Sequence, residues 1–213
     1  ERKALWKTGI TDLHSFPPGN LASIFKSGFV FESVAVLKQP AQQEIKMFYA
    51  TRRLRDLLFE STRERVSDVK EVAVAFSGGL DSSVIASLAK LAGVHEHLVC
   101  VGLEGQREMT QAKESAESLE LPLTLQTYTV RDVENVLPKV LWLIEEPDVM
   151  KVSVAIPFYW TAEVAAKLGF HVLVAGQGAD ELFGGYHRYL HEYETGGAEK
   201  VQEALFHDTA MSF

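Results

Sequence analysis

The chain has 213 residues, of which 46% are hydrophobic, and its formal charge of −8 argues against nucleic-acid binding, which needs a basic surface. This composition excludes a disordered chain. The sequence contains no run of about 18 apolar residues, the length that would predict a membrane span. The single cysteine, Cys100, can form no disulfide within the chain and is expected in the core of a cytoplasmic protein.

The first 40 residues have a different pattern from the rest. Two apolar runs, NLASIF and FVFESVAVL, flank the short turn KSG, so they predict a β-hairpin that closes at Pro40. An isolated hairpin is marginally stable in water. We therefore expect it to pack on the main body or to belong to a further domain.

From Ala41 the spacing of apolar residues predicts a helix up to about Val66. Strands and helices then alternate. The predicted strands are EVAVAF, HLVCVGL, LTLQTYTV and HVLVAG, and the predicted helices are SSVIASLAKLA, REMTQAKESAESL, RDVENVLPKVLWLI with a kink at Pro138, and FYWTAEVAAKL ending at Gly169. Continuous apolar strands alternating with helices predict an α/β fold, a doubly wound parallel sheet covered on both faces.

A glycine loop joins the first of these strands to its helix, in the segment VAVAFSGGLDSSVIA. The backbone N–H groups at the start of the helix, together with the helix dipole, favour an anion. The two glycines allow a close approach, and the serine hydroxyls can donate to phosphate oxygens. Asp81 would repel a phosphate directly, but it could hold one through Mg²⁺. The GK[ST] of a P-loop and the GxGxxG of a dinucleotide site are both absent, and a plain glycine turn is the structural alternative.

The segment SGGLDSS resembles the pyrophosphate loop of the ATP pyrophosphatases, which cleave ATP between its α and β phosphates to form an adenylate. This loop alone does not choose among the asparagine, GMP, NAD and argininosuccinate synthetases and the tRNA-modifying relatives. A second segment, VAGQGADELFGGY, follows the last predicted strand and is similar to the GEGADELFGGY signature of asparagine synthetases. Both segments fall at the carboxyl ends of strands, where open α/β sheets bind ligands.

The resemblance to the glutamine-hydrolysing asparagine synthetases extends to VGLEG, EEPDV and IPFYW. It implies a fold of the adenine nucleotide alpha hydrolase-like type. Residues 1–40 would be the hairpin remnant of a preceding glutaminase domain, and residues 41–213 would be an ATP-pyrophosphatase synthetase domain, incomplete at its C-terminus.

The implied reaction uses ATP to adenylate the side-chain carboxylate of aspartate, with release of pyrophosphate. Ammonia then displaces AMP and asparagine is formed. The implied partners are these small molecules, Mg²⁺ and a glutaminase domain in cis or in trans, without nucleic acid or membrane. A homodimer is left open. The alternatives are a nucleotide-binding module of the same fold without turnover, and an amidotransferase that acts on a different carboxylate.

The resemblance also implies roles for individual residues. Pyrophosphate would be held by Ser77, Gly78, Gly79, Ser82 and Ser83, adenosine would be flanked by Phe76, Val101, Ala175 and Gly176, and Mg²⁺ would be held by Asp81 and Asp180. The implied catalytic residues are Asp81, Asp180 and Gln177. Gln177 stands where the best-studied members have a glutamate. A glutamine can hydrogen-bond but cannot accept a proton, so this difference puts an acid–base role there in doubt.

Two weaker patterns have structural alternatives. His187 and His191 are spaced like zinc ligands on a helix but lack an evident third ligand, so a surface pair is favoured. The acids of EEPDV could orient an amine substrate, or they could lie exposed at the end of a helix.

Overall fold

The computed structural model describes residues 2–5, 8–10, 16–35, 38 and 44–212. The chain divides into two compact units, one formed by Ile45–Ala179 and the other by Glu1–Glu44 with Asp180–Phe213. The expected domains, residues 1–40 and 41–213, stay a prediction.

A short 3₁₀ helix, Arg2–Leu5, precedes the regular elements. In chain order these are β1 (Asn20–Phe25), β2 (Gly28–Ser33), α1 (Met47–Val66), β3 (Glu71–Ala75), α2 (Leu80–Leu91), β4 (His95–Leu103), α3 (Arg107–Leu119), β5 (Leu123–Tyr128), α4 (Val130–Ile144), α5 (Val149–Lys167), β6 (Leu173–Val174), α6 (Ala179–Phe183) and α7 (Arg188–Ser212). Among the described helices, none combines the length and the apolar character that a membrane crossing requires.

The unit Ile45–Ala179 is built on a parallel sheet with the strand order β5-β4-β3-β6. Val72 and Val74 of β3 pack with α2 and α3 on one face, whereas Ala73 and Val99 pack with α5 on the other. Helices therefore cover both faces, which confirms the doubly wound α/β fold. The chain moves outward from β3 to β5 and returns to the opposite side of β3. The winding direction thus changes between β3 and β6, the position at which such sheets bind ligands.

The helix predicted over FYWTAEVAAKL begins earlier than expected, at Val149 rather than after Pro157. The Asp148 side chain caps it by accepting the Lys151 N–H at 2.9 Å. Pro157 removes one backbone donor inside the helix. The neighbouring residues Ile156 and Trp160 are buried in the α4–α5 cluster, and this burial offsets that loss. Similarly, α4 continues through Pro138, and the kink expected there stays a prediction.

Three other predicted elements differ in extent or burial. The helix predicted from Ala41 begins at Met47, while residues 41–43 lie outside the described residues. Its apolar side chains Phe48 and Tyr49 are exposed, and its buried residues are Thr62 and Val66. The strand predicted over HVLVAG is reduced to two residues, and the second hairpin strand ends at Ser33.

In the other unit, β1 and β2 pair antiparallel, with Asn20 opposite Ser33 and Phe25 opposite Gly28. The predicted hairpin is therefore confirmed. Its large apolar side chains stay exposed, and Ile24 is 83% accessible. The hairpin thus contributes no buried apolar core.

Candidate functional site

The loop after β3 is organised by its own serine hydroxyls. Ser82 Oγ accepts the Ser77 N–H at 3.3 Å and lies 3.2 Å from the Gly79 carbonyl, to which it can donate. The Gly79 N–H donates to Ser77 Oγ at 3.2 Å, and the two serine Oγ atoms are also 3.2 Å apart. These contacts fix the path of the loop into α2, and Ser82 is buried as a result.

Helix α2 begins without a side-chain cap, because its N-cap residue is Gly79. The first amide bonded back along the helix is that of Ser83, which donates to the Gly79 carbonyl at 3.1 Å. The preceding N–H groups of the first turn have no acceptor within the helix. Asp81, half-buried, lies in this turn. Backbone donors, a helix dipole and hydroxyl groups together suit a phosphate ligand.

Gly78 fixes the loop against α3. Its φ is +74°, and a Cβ on it would lie 2.7 Å from both the N and the Cα of Ala112. Glycine is therefore required by both conformation and space. Its carbonyl accepts two side-chain hydrogen bonds from α3, from Gln111 Nε2 at 3.2 Å and from Ser115 Oγ at 3.1 Å. Sequence reasoning missed both donors. The one signal was the pair of small residues Ala112 and Ala116, one turn apart, which are buried and permit the close approach.

The loop after β6 reaches the loop after β3 at a second glycine. A Cβ on Gly176 would lie 3.1 Å from the carbonyl carbon and oxygen of Asp81. The two predicted segments therefore touch main chain to main chain at the carboxyl end of the sheet. Gln177, the next residue, is exposed. This closeness follows from the pairing of β6 with β3, in which Val74 is opposite Val174.

The residues expected to flank adenosine have different environments. Phe76 is only 3% exposed, and its side chain belongs to the core shared with α2 and α3. Val101 is half-buried and packs against the apolar clusters on the α5 face. Ala175 and Gly176, also half-buried, follow β6 directly. Because its side chain is buried, Phe76 could contact adenosine only through its main chain. The assignment of these four residues to adenosine stays a prediction.

Asp180 lies in the other unit, at the start of α6. Its carbonyl accepts the N–H groups of Gly184 and Gly185, each at 3.0 Å, and its carboxylate fills the space that a Cβ at Gly185 would need. Tyr186 donates to Glu181 Oε1 at 2.6 Å, and this bond raises the pKa of Tyr186 to about 12. Tyr186 is therefore a protonated donor at neutral pH. The sharing of Mg²⁺ by Asp81 and Asp180 stays a prediction.

Among the residues that the structure describes, no group of three or more His, Cys, Asp and Glu side chains could hold a metal ion. His187 and His191 thus gain no third ligand there. Magnesium is usually bound by one or two carboxylates together with substrate phosphates. The carboxylate of Asp81, beside a loop suited to phosphate, fits that mode of binding.

The remaining candidates have structural roles. Asp148 caps α5, and Glu146 pairs with Lys151, so two acids of EEPDV support the start of that helix. Cys100 is 3% exposed in β4, which confirms its place in the core. Burial is the main reason that the pKa of its thiol is raised to about 11.

Comparison with known proteins adds the family context. A sequence model of the asparagine synthase family matches residues 53–211. A Methanocaldococcus jannaschii protein, provisionally named as a glutamine-hydrolysing asparagine synthetase, is 36% identical over 181 residues, covering 85% of this chain and 32% of the relative. The root asparagine synthetase [glutamine-hydrolyzing] of Pisum sativum is 31% identical over 193 residues, covering 83% and 32%. The chain thus spans about a third of the length of these relatives.

Among solved structures, the NH3-dependent NAD synthetase from Campylobacter jejuni resembles this chain with a TM-score of 0.45 and 17% identity. The match covers 63% of this chain and 60% of that one.

Proposed function

The chain belongs to the asparagine synthase family, and on that premise we propose that it is the ATP-using part of an amide-forming ligase. The acid substrate is aspartate, whose side-chain carboxylate is adenylated, and the amine is ammonia. A glutaminase domain, in cis or in trans, supplies that ammonia, and the protein works in the cytoplasm. The relatives are named as glutamine-hydrolysing asparagine synthetases, which supports this choice of substrates.

One observation carries the proposal. Helix α2 follows a glycine loop and begins without a side-chain cap, and Gly176 from the loop after β6 lies close to Asp81 in its first turn. Helix N-termini with glycine loops are suited to phosphate groups. The chain thus has a loop suited to phosphate between β3 and β6, where the winding direction of the sheet changes. The family relationship predicts a nucleotide at this position.

In the first step a carboxylate oxygen of aspartate attacks the α-phosphorus of ATP. The bond from that phosphorus to the oxygen bridging to the β-phosphate breaks, and pyrophosphate leaves. The loop amides and the hydroxyls of Ser77 and Ser83 hold the oxygens of the departing pyrophosphate, so their contribution is positioning and charge stabilisation. Asp81 and Asp180 are the residues that would hold Mg²⁺, and the ion would supply further neutralisation of phosphate charge.

In the second step the nitrogen of ammonia attacks the acyl carbon, and AMP leaves with the electrons of the C–O bond. The attacking nitrogen loses a proton in this step. Gln177 is exposed beside the site, but a carboxamide cannot accept that proton. Its amide can orient a reactant, and the proton must leave to another group or to solvent.

The test is exchange of labelled pyrophosphate into ATP in the presence of aspartate. We expect exchange that depends on aspartate, and we expect Asp81→Asn to lower its rate about 100-fold or more, a typical loss for an electrostatic group in a site. The matched control is Asp68→Asn, an exposed aspartate in the turn before β3, which should leave the rate unchanged.

The possible results separate the alternatives. Exchange that requires another carboxylate in place of aspartate would show a different acid substrate. ATP binding without exchange for any carboxylate would favour a nucleotide-binding module without turnover, the alternative that Gln177 suggests. Absence of ATP binding would overturn the proposal.

A further inference from the structure

We propose that Gln111 and Ser115 of α3 are positioning residues that set the orientation of the peptide between Gly78 and Gly79. They turn its N–H away from α3 and into the loop proposed to hold the phosphates of the nucleotide, where it donates to Ser77 Oγ at 3.2 Å. The inference rests on the proposed function, because it assigns this peptide to a phosphate site.

The Gly78 carbonyl accepts two hydrogen bonds from α3. Gln111 Nε2 and Ser115 Oγ donate to that oxygen from 3.2 and 3.1 Å. The two donors are four residues apart, so they lie on the same face of α3. Ala112, on the same side of the helix, brings its main chain against Gly78. The carbonyl therefore points at α3 and is held from two directions.

The geometry of the peptide bond determines the direction of the Gly79 N–H group. The peptide is trans, as are all those described, so its C=O and N–H groups point in opposite directions. With the carbonyl fixed on α3, the Gly79 N–H must point away from that helix. It donates to Ser77 Oγ at 3.2 Å, within the loop that precedes the first-turn amides of α2.

Without this restraint, the peptide between Gly78 and Gly79 could rotate. It lies between two glycines, which accept a wide range of φ and ψ, so its rotation is little opposed by side chains. A flipped peptide would direct a carbonyl oxygen at a bound anion and lose one donor. The two α3 side chains oppose that flip, since it would leave the Gly78 carbonyl without either donor at a buried position.

The experiment measures binding of ATP, inorganic pyrophosphate and adenosine to the protein and to Gln111→Ala, Ser115→Ala and the double variant. We expect the double variant to raise the dissociation constants of ATP and pyrophosphate about tenfold or more, the cost of one misplaced charge-assisted hydrogen bond. The dissociation constant for adenosine should stay within about twofold, a difference too small to reflect a lost hydrogen bond. Ser115→Thr, which keeps the hydroxyl, should restore pyrophosphate binding relative to Ser115→Ala.

The matched control is Ser118→Ala. Ser118 lies on the same helix and is exposed, and its hydroxyl donates to the Glu114 carbonyl of that helix, at 3.0 Å. Its removal should change none of the three dissociation constants. If the double variant is unfolded, the two single variants test the inference, with smaller shifts in the same direction.

Equal weakening of adenosine and pyrophosphate binding would indicate a general structural role and overturn the inference. Unchanged pyrophosphate binding in the double variant would also overturn it, while leaving the proposed function standing. If the unaltered protein binds neither ATP nor pyrophosphate, the proposed function fails, and the inference fails with it.

Discussion

The two ends of the parallel sheet are built from different chemistry. At the carboxyl end, backbone meets backbone, at Gly78 with α3 and at Gly176 with Asp81. At the amino end, a pocket of about 360 Å³ is lined by residues that include Glu71, Glu96 and His97. The backbone donors at the carboxyl end do not titrate, whereas the amino end holds His97, whose pKa is lowered by burial. We therefore expect His97, at the amino end, to contribute to the pH dependence of folding.

The largest effect is expected from Gly78→Ala compared with Gly93→Ala. The two glycines flank α2 and have similar φ values, +74° and +81°, but no atom lies within 4 Å of a Cβ built on Gly93. Gly93→Ala should cost about 1–2 kcal/mol of the free energy of unfolding, from conformational strain alone. Gly78→Ala adds a clash with the α3 backbone and should cost about 3 kcal/mol or more. It should also displace the loop and abolish pyrophosphate binding.

Urea unfolding and pyrophosphate titration measure the two effects. Equal losses of stability in the two variants, with pyrophosphate binding intact in both, would contradict the close packing at Gly78.

A smaller effect is expected at the amino end, from His97. Its Nε2 lies 2.8 Å from Thr124 Oγ1, its ring is 5.5 Å from that of Phe170, and burial lowers its pKa below the ordinary 6.5. Between the lowered value and 6.5 the unfolded chain binds more protons than the folded protein. The free energy of unfolding should therefore fall as the pH drops through this window.

His97→Gln should flatten this part of the profile, whereas His95→Gln, at an exposed position in the same strand, should not. Chemical unfolding at a series of pH values between 4 and 8 gives the comparison. An unchanged slope in His97→Gln would assign the pH dependence to other groups.

The smallest effect is expected at Cys100, which lies in β4 between the two ends. Its burial and a pKa of about 11 leave roughly one thiol in a thousand ionised at pH 8. Iodoacetamide should thus modify the folded protein far more slowly than the urea-unfolded protein, as followed by mass spectrometry. Rapid modification without urea would show that the sheet opens between its two ends.

Much of the sheet unit could be predicted from periodicity and motifs. The helix REMTQAKESAESL matches α3 residue for residue, because a polar loop and a left-handed Glu120 bound its amphipathic run. The glycine loop was predicted because its residue types have few other uses between a strand and a helix. The start of α5 was wrong, since Pro157 suggested a boundary that packing and the Asp148 cap override.

Contacts between distant segments could not be predicted in this way. The donors Gln111 and Ser115 lie 33 and 37 residues beyond Gly78, and nothing in their local pattern distinguishes them from other polar residues of the helix. The apolar side chains of α1, such as Met47 and Phe48, are exposed, and their lack of burial could not be predicted from the sequence either. Periodicity predicts a helix with an apolar face, but it does not say what covers that face.

The strand order also has a consequence for the timing of folding during synthesis. Strand β3 lies between β4 and β6, and its pairing with β6 joins Ala73 to Leu173, a hundred positions later in the chain. Until the ribosome has released that stretch, β3 is an edge strand with one unpaired side. The glycine loop after β3 likewise lacks its contact with Gly176 during that interval. A nascent chain can thus form the contact of Gly78 with α3 well before the two halves of the phosphate site meet.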